Sequence, residues 1–259
     1  MIERTLTIVG PGGVGKSPLD ALFRHDIIRI DPYRLRSRGP RDSNDVYYVH
    51  PRLRDEMLSI LATLGDRALQ IGASGSRVEW FPKGQVLFFE IRGGWQLLIL
   101  SGLEGQFAKA ELHAPILATL LSHPDTSSLL GRRIEVIILN PAPQSVMEMP
   151  DWQSLEEKTR HNCTERGDTS ESIMKRVGSA AQEGLAWRQL IQEHAATEYD
   201  AWEFPEYLYK QPAPGACLLE HQRRTLIAAR HRLLAGNPGL SPFFKRDDEI
   251  ERMDELIVR

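Results

Sequence analysis

Near the start of the chain an apolar run, Leu6-Thr7-Ile8-Val9, passes directly into Gly10-Pro11-Gly12-Gly13-Val14-Gly15-Lys16-Ser17. No other stretch limits the fold as strongly. The run has the length and the bounding glycines of a buried strand, and a helix is expected to start near Gly15 and run towards His25. A glycine-rich turn between strand and helix lets consecutive backbone N–H groups face inward. The positive end of the helix dipole adds to them. With Gly10, Gly15, Lys16 and Ser17 at this spacing, the turn matches a phosphate cradle. Gly10, Gly12, Gly13, Val14 and Gly15 supply backbone donors, Lys16 reaches the outer phosphates, and Ser17 offers a hydroxyl to Mg²⁺.

Pro18 departs from the usual cradle. It has no N–H to give and biases Ser17 away from helical geometry, although proline is tolerated in a first helical turn. A loop that kept its shape and lost its activity therefore stays open as a reading.

The rest of the chain fits an α/β fold. Its 259 residues, 41% apolar and 26% charged, suit one globular domain with a substantial core. Ile27, Ile28 and Ile30 read as a second buried strand closed by Asp31-Pro32. Residues 51–64, 110–122, 151–163, 170–195 and 218–235 read as helices, and 134–141 as a continuous apolar strand. "VLFFEIR" and "WQLLILS" around Gly93-Gly94 read as a hairpin. The expected architecture is a three-layer α/β core with a parallel sheet built around the phosphate loop, at about 1–35 and 95–259. A β-rich substrate lobe is inserted at about 36–94, and a helical lid covers about 160–176.

Net charge of −3 argues against a surface coated all over for nucleic acid or anionic membrane. The two cysteines, Cys163 and Cys217, lie far apart and make neither a disulfide scaffold nor a four-cysteine zinc site. The N-terminal apolar run is too short for a signal peptide or a membrane span, so a cytoplasmic protein is expected.

A second informative stretch is "RHNCTERGDTSESIMKRVGSAAQ", 160–182. Asp168 is placed to cap a helix, with Glu171 completing a capping box. Arg160 and Arg166 precede the cap and Arg176 lies in the third turn. Arginines at such a junction suit a clamp on phosphate. His161 and Cys163 form an isolated H-x-C, read as packing rather than a metal site.

In this order the parts resemble guanylate kinase and the wider nucleoside monophosphate kinase group of P-loop kinases, which implies a P-loop kinase three-layer core. The resemblance rests on "GPGGVGKSP", on Ser37-Arg38-Gly39-Pro40-Arg41 followed by Tyr47-Tyr48-Val49, on "VIILNPAP", and on "RGDTSESIMKRVGSAAQ". It implies an ATP-dependent phosphotransferase with Lys16 and Ser17 on ATP–Mg²⁺ and Arg166 and Arg176 on the ATP phosphates. It implies Arg38 and Arg41 on the phosphate of a nucleotide-like acceptor, with Tyr47 or Tyr48 as a hydroxyl donor. The family's acidic base reader has no counterpart in "PRDSNDV", and residues 66–130 do not align, so the acceptor stays open.

A phosphoryl-transfer site also needs a carboxylate at a strand end. Asp31, Glu90 and Glu104 are the candidates, and "LLILS" best fits the expected strand although it ends in Ser101. Asp31-Pro32-Tyr33-Arg34 resembles the arrangement in polynucleotide kinases and zeta toxins. There the Asp activates a hydroxyl on a nucleoside, sugar or nucleic-acid acceptor, and Arg34 would lie on the substrate side. A non-catalytic guanylate-kinase-like binding module is the third reading, motivated by Pro18 and the missing acid.

Overall fold

The computed structural model describes residues 2–38, 47–64, 69–71, 76–81, 86–91, 94–99, 105–122, 130–131, 133–142, 152–165, 167–193, 196–204, 208 and 213–254. In chain order the elements are β1 (Ile2–Val9), α1 (Lys16–Leu19), β2 (Ile28–Ile30), β3 (Tyr33–Arg34), α2 (Pro51–Leu64), β4 (Leu69–Ile71), β5 (Ser76–Phe81), β6 (Val86–Ile91), β7 (Gly94–Ile99), β8 (Gly105–Glu111) and α3 (Ala114–Ser122). They continue with β9 (Arg133–Asn140), α4 (Trp152–Glu165), α5 (Ser170–Glu193), β10 (Ala196–Asp200), α6 (Leu218–Gly236) and α7 (Asp247–Glu251).

Five strands form a parallel sheet in the order β10-β9-β1-β8-β2. β1 lies at its centre, with Ile8 opposite Glu111 of β8 on one side and opposite Ile137 of β9 on the other. Alternation along each strand sends side chains to opposite faces. Val136 and Ile138 of β9 and Ala108 and Ala110 of β8 pack with Leu117, Leu120, Trp187 and Leu190 from α3 and α5. Ile137 and Leu139 face the other way, into a cluster with Leu19, Leu22, Phe23, Leu226, Leu233 and Phe243. Full burial of each such side chain is worth about 1.5–3 kcal/mol. Helices thus cover both faces, as parallel sheets require.

A second, antiparallel sheet has the order β3-β7-β6-β5-β4. Its hairpin closes with Ile91 opposite Gly94. Tyr33, Leu35, Val49, Met57, Leu58, Trp95 and Leu97 make a small core beside it. Between β2 and β3 stand only Asp31 and Pro32, so the chain leaves one sheet and enters the other within two residues.

Several sequence expectations hold. α2, α4, α5, α6 and β9 lie where periodicity put them, within two residues at the ends. Others are corrected. The helix after the glycine loop does not reach His25: α1 ends at Leu19, a 3₁₀ turn covers Asp20–Leu22, and Phe23 is already extended. The backbone there finds partners elsewhere. The Arg24 N–H donates to the Phe243 carbonyl at 3.1 Å, the Lys245 N–H donates to the Leu22 carbonyl at 2.7 Å, and Phe23 bridges Phe244.

The expected helix at 110–122 begins only at Ala114, because "GQFAKAE" is the inner strand β8. "LLILS" is likewise no part of the parallel sheet: 94–99 form β7 of the antiparallel one. The segment after α6, read as a charged tail, folds back as a 3₁₀ turn over Pro238–Phe243 and α7, burying Leu240, Phe243 and Ile250. Among the described residues no helix is long and apolar enough to cross a membrane.

Candidate phosphate-binding site

The glycine loop leaves the carboxyl end of β1 and enters α1, as its sequence predicts. Gly15 caps α1 with φ of 96°, in the left-handed region that glycine enters without a Cβ penalty. Lys16 folds back over the loop, and its Nζ donates to the carbonyls of Gly10 at 2.6 Å and Pro11 at 3.0 Å. Val14 is buried beneath, while the Ser17 side chain is exposed. Pro18 is the third residue of α1 and is buried. The first four N–H groups of any helix lack an internal partner, so its missing N–H breaks no helical bond.

α4 and α5 close over the loop. At Gly12 a Cβ would stand 2.1 Å from Nη1 of Arg176, and at Gly13 it would stand 3.1 Å from Sγ of Cys163. The Cys163 thiol, fully buried, donates to the Gly12 carbonyl at 3.5 Å. Glycine at position 12 is therefore what admits the guanidinium. Arg176 is itself held, with Nε 3.2 Å from Oδ2 of Asp168 and donating to Oγ of Ser172 at 3.3 Å.

This corrects the expected cap. Thr169, not Asp168, takes the N–H of Ser172 on its hydroxyl, at 3.3 Å. Glu171 pairs instead with Lys175, which holds its carboxyl below the usual carboxylate range. His161 stacks near Trp202 at 5.1 Å. Among the described residues no group of three or more His, Cys, Asp or Glu side chains could hold a metal ion. Mg²⁺ ordinarily takes one or two carboxylates together with substrate phosphates rather than a protein cage.

The carboxylate missed in the sequence is Glu111. It ends β8, the strand beside β1. Burial raises its pKa, Lys16 opposes that rise, Asp20 adds to it, Lys109 opposes it and Asp31 adds to it. Lys16, Asp20, Asp31 and Glu111 therefore share one electrostatic neighbourhood at the carboxyl edge of the parallel sheet. Pro115 was the available signal. Proline favours the first turn of a helix, so a helix opening at Ala114-Pro115 leaves Glu111 at a strand end.

Of the residues expected on the acceptor side, Arg34, Tyr47 and Tyr48 come together. The Arg34 N–H donates to the Tyr47 carbonyl at 2.8 Å, the Val49 N–H donates to the Arg34 carbonyl at 3.0 Å, and the rings of Tyr33 and Tyr47 lie 5.4 Å apart. Arg36 stacks over Tyr48 at 5.7 Å. Tyr47 and Arg38 are exposed. Arg41, Arg166, Ser101 and Glu104 lie outside the described residues, as do the side chains of Glu90, Trp80, Phe81, Phe88 and Phe89.

A central β1 flanked by β8 and β9, a glycine loop running from β1 into a helix, and helices on both faces make this an α/β protein with a P-loop kinase-like core. No family model matches the chain, and no curated protein is similar to it in sequence. Among solved structures it is similar to a guanylate kinase from Anaplasma phagocytophilum at 12% identity. That match has a TM-score of 0.38 and covers 90% of this chain and 87% of that one.

Proposed function

We propose that the chain is an ATP-dependent phosphotransferase of the nucleotide-kinase type, acting on a nucleotide-like acceptor. The observation that carries this reading is the contact between Arg176 and Gly12. It sets an arginine from outside the loop against the backbone of the same loop that carries Lys16, whose charge acts on Glu111. A glycine loop alone binds phosphate; a loop with a second cation against it and a carboxylate nearby can also stabilise the charge that spreads over a phosphoryl group in transfer.

In this reading the loop N–H groups from Gly10 to Gly15 and the Lys16 ammonium hold the donor's phosphates, with Arg166 completing the clamp. Ser17 and Glu111 are the residues that would hold Mg²⁺, whose part is to neutralise phosphate charge. The lobe expected at about 36–94, widened to about 33–99 because β3 and β7 belong to the antiparallel sheet, is the acceptor lobe in this reading, where Arg34, Arg38, Arg41, Tyr47 and Tyr48 offer phosphate-binding donors. The end of α4 and the start of α5, at about 160–176, form the lid.

One observation favours a second reading. Asp31 acts on Glu111 electrostatically and stands at the crossing between the two sheets. That is where an acceptor hydroxyl would lose its proton, so a hydroxyl acceptor with Asp31 as base competes with a phosphate acceptor.

Calorimetry with ATP–Mg²⁺ tests the shared core of both readings. The expected result is micromolar binding that Lys16→Met weakens by about 10²-fold or more, in line with removal of a phosphate-directed cation. Equal binding by the wild type and Lys16→Met would overturn it.

A further inference from the structure

The helical segment after the glycine loop is unusually short and does not stand by itself. Helical turns cover only Lys16–Leu22, well below the roughly 12–15 residues at which an isolated helix becomes even marginal in water. Its carboxyl end lies between two buried lysines from distant parts of the chain. Lys109, on β8, has no exposed surface; its ammonium bonds the Asp20 carboxylate and lies 5.3 Å from the centroid of the Phe23 ring. Lys245, in the carboxyl-terminal segment, is 5% exposed, and its Nζ donates to the Ala21 carbonyl at 2.9 Å. Its own N–H donates to the Leu22 carbonyl.

A buried ammonium carries a desolvation cost that only good partners offset. Two of them at one helix end meet that condition differently, Lys109 through the Asp20 carboxylate and Lys245 through the Ala21 carbonyl. The last carbonyls of a helix lack internal partners, and cations are favoured there by the helix dipole.

We propose that Lys109 and Lys245 are positioning residues for the phosphate loop, taking over the anchoring that a longer helix would supply. Lys109 does more than hold the helix. It sits two residues before Glu111 on the same face of β8, so one strand carries both the anchor of the loop's helix and the carboxylate on which the Lys16 charge acts. The spacing between loop and carboxylate is thereby tied to the Asp20–Lys109 pair. The segment after α6, through Lys245 and Phe244, becomes part of the phosphate site rather than an appendage. The consequence for nucleotide binding rests on the phosphotransferase reading; the anchoring itself does not.

Hydrogen exchange of the full chain without nucleotide tests the anchoring directly, in Lys109→Met, Lys245→Met and Asp20→Asn, each confirmed folded by circular dichroism. The expected result is exchange at least about tenfold faster in the peptide spanning 10–19, with the β9 peptide spanning 133–140 unchanged, as for a local opening. Lys109→Arg, which keeps the charge, should restore most of the protection. Asp20→Asn and Lys245→Met give the same readout should Lys109→Met fail to fold. Unchanged exchange at 10–19 in all folded variants would overturn the proposal, and so would an equal rise across β9, since that marks a general loss of stability. In parallel, the folded variants should bind ATP–Mg²⁺ at least about tenfold more weakly than the wild type. A wild type that binds no ATP would sink the phosphotransferase reading and leave the exchange result standing.

Discussion

The Arg176 guanidinium occupies the space that a side chain at Gly12 would need, and Asp168 holds it there from one side. Helix α5 and the glycine loop are in this way matched residue to residue. Arg176→Ala removes the cation set against the glycine loop and, on the phosphotransferase reading, should lower the transfer rate by about 10²–10³-fold. Gly12→Ala should displace the flexible end of Arg176 with little effect on thermal stability, yet reduce transfer in the same direction. Steady-state kinetics beside thermal melts check both. A Gly12→Ala variant with full activity would show that the contact has no part in function.

Glu111 links pH to stability in a direction opposite to most carboxylates. Burial, with Asp20 and Asp31 reinforcing it, raises its pKa above the ordinary glutamate value of 4.5. Between 4.5 and that raised value the folded state holds more protons than the unfolded state, so stability falls as pH rises through the window. Glu111→Gln removes the charge. It should melt at a higher temperature than the wild type at pH 8, with the difference shrinking below about pH 4.5, while phosphoryl transfer drops by about 10²–10⁴-fold. A variant less stable than the wild type at pH 8 would refute the assignment of a penalised carboxylate.

Asp31→Asn separates the two acceptor classes. If the acceptor is a phosphate, transfer persists, because no proton need be taken by Asp31. If the acceptor is a hydroxyl, turnover is lost while ATP binding survives. Turnover of both acceptor types by this variant, measured beside ATP affinity, decides between them.

Pro18 is accommodated rather than disruptive. As the third residue of α1 its missing N–H costs no helical bond. Pro18→Thr should therefore bind ATP–Mg²⁺ as tightly as the wild type and lose only about 0.4–1 kcal/mol of stability, through a freer unfolded chain. Clearly tighter binding by Pro18→Thr would show that the proline does weaken the cradle.

Local sequence revealed the glycine loop and the long helices α2, α4, α5 and α6, because each has its cause within a few neighbouring residues. Gly10 to Ser17 is such a case: strand, turn and helix start are consecutive. β8 was hidden for a physical reason. "GQFAKAE" alternates small apolar residues with Lys109, charged yet fully buried, and Glu111, charged and half-buried, so it lacks the apolar run of a buried strand. Lys109 is buried because Asp20 and Phe23 lie over it, and those partners are 89 and 86 positions away. The early end of α1 was hidden likewise, since its cause is the Phe243–Lys245 segment at the other end of the chain. Thr169 displaced Asp168 as the cap because Asp168 has Arg176 as a stronger partner, which a capping pattern cannot reveal.

The central claim is that this loop, lid and carboxylate move a phosphoryl group rather than merely hold a nucleotide. A transfer screen with γ-labelled ATP and Mg²⁺ across nucleoside monophosphates, nucleosides and oligonucleotide ends tests it most directly. The account predicts label on at least one nucleotide-like acceptor, lost in Lys16→Met and in Arg176→Ala. Micromolar ATP binding with no label on any acceptor would contradict it and leave a binding module in its place.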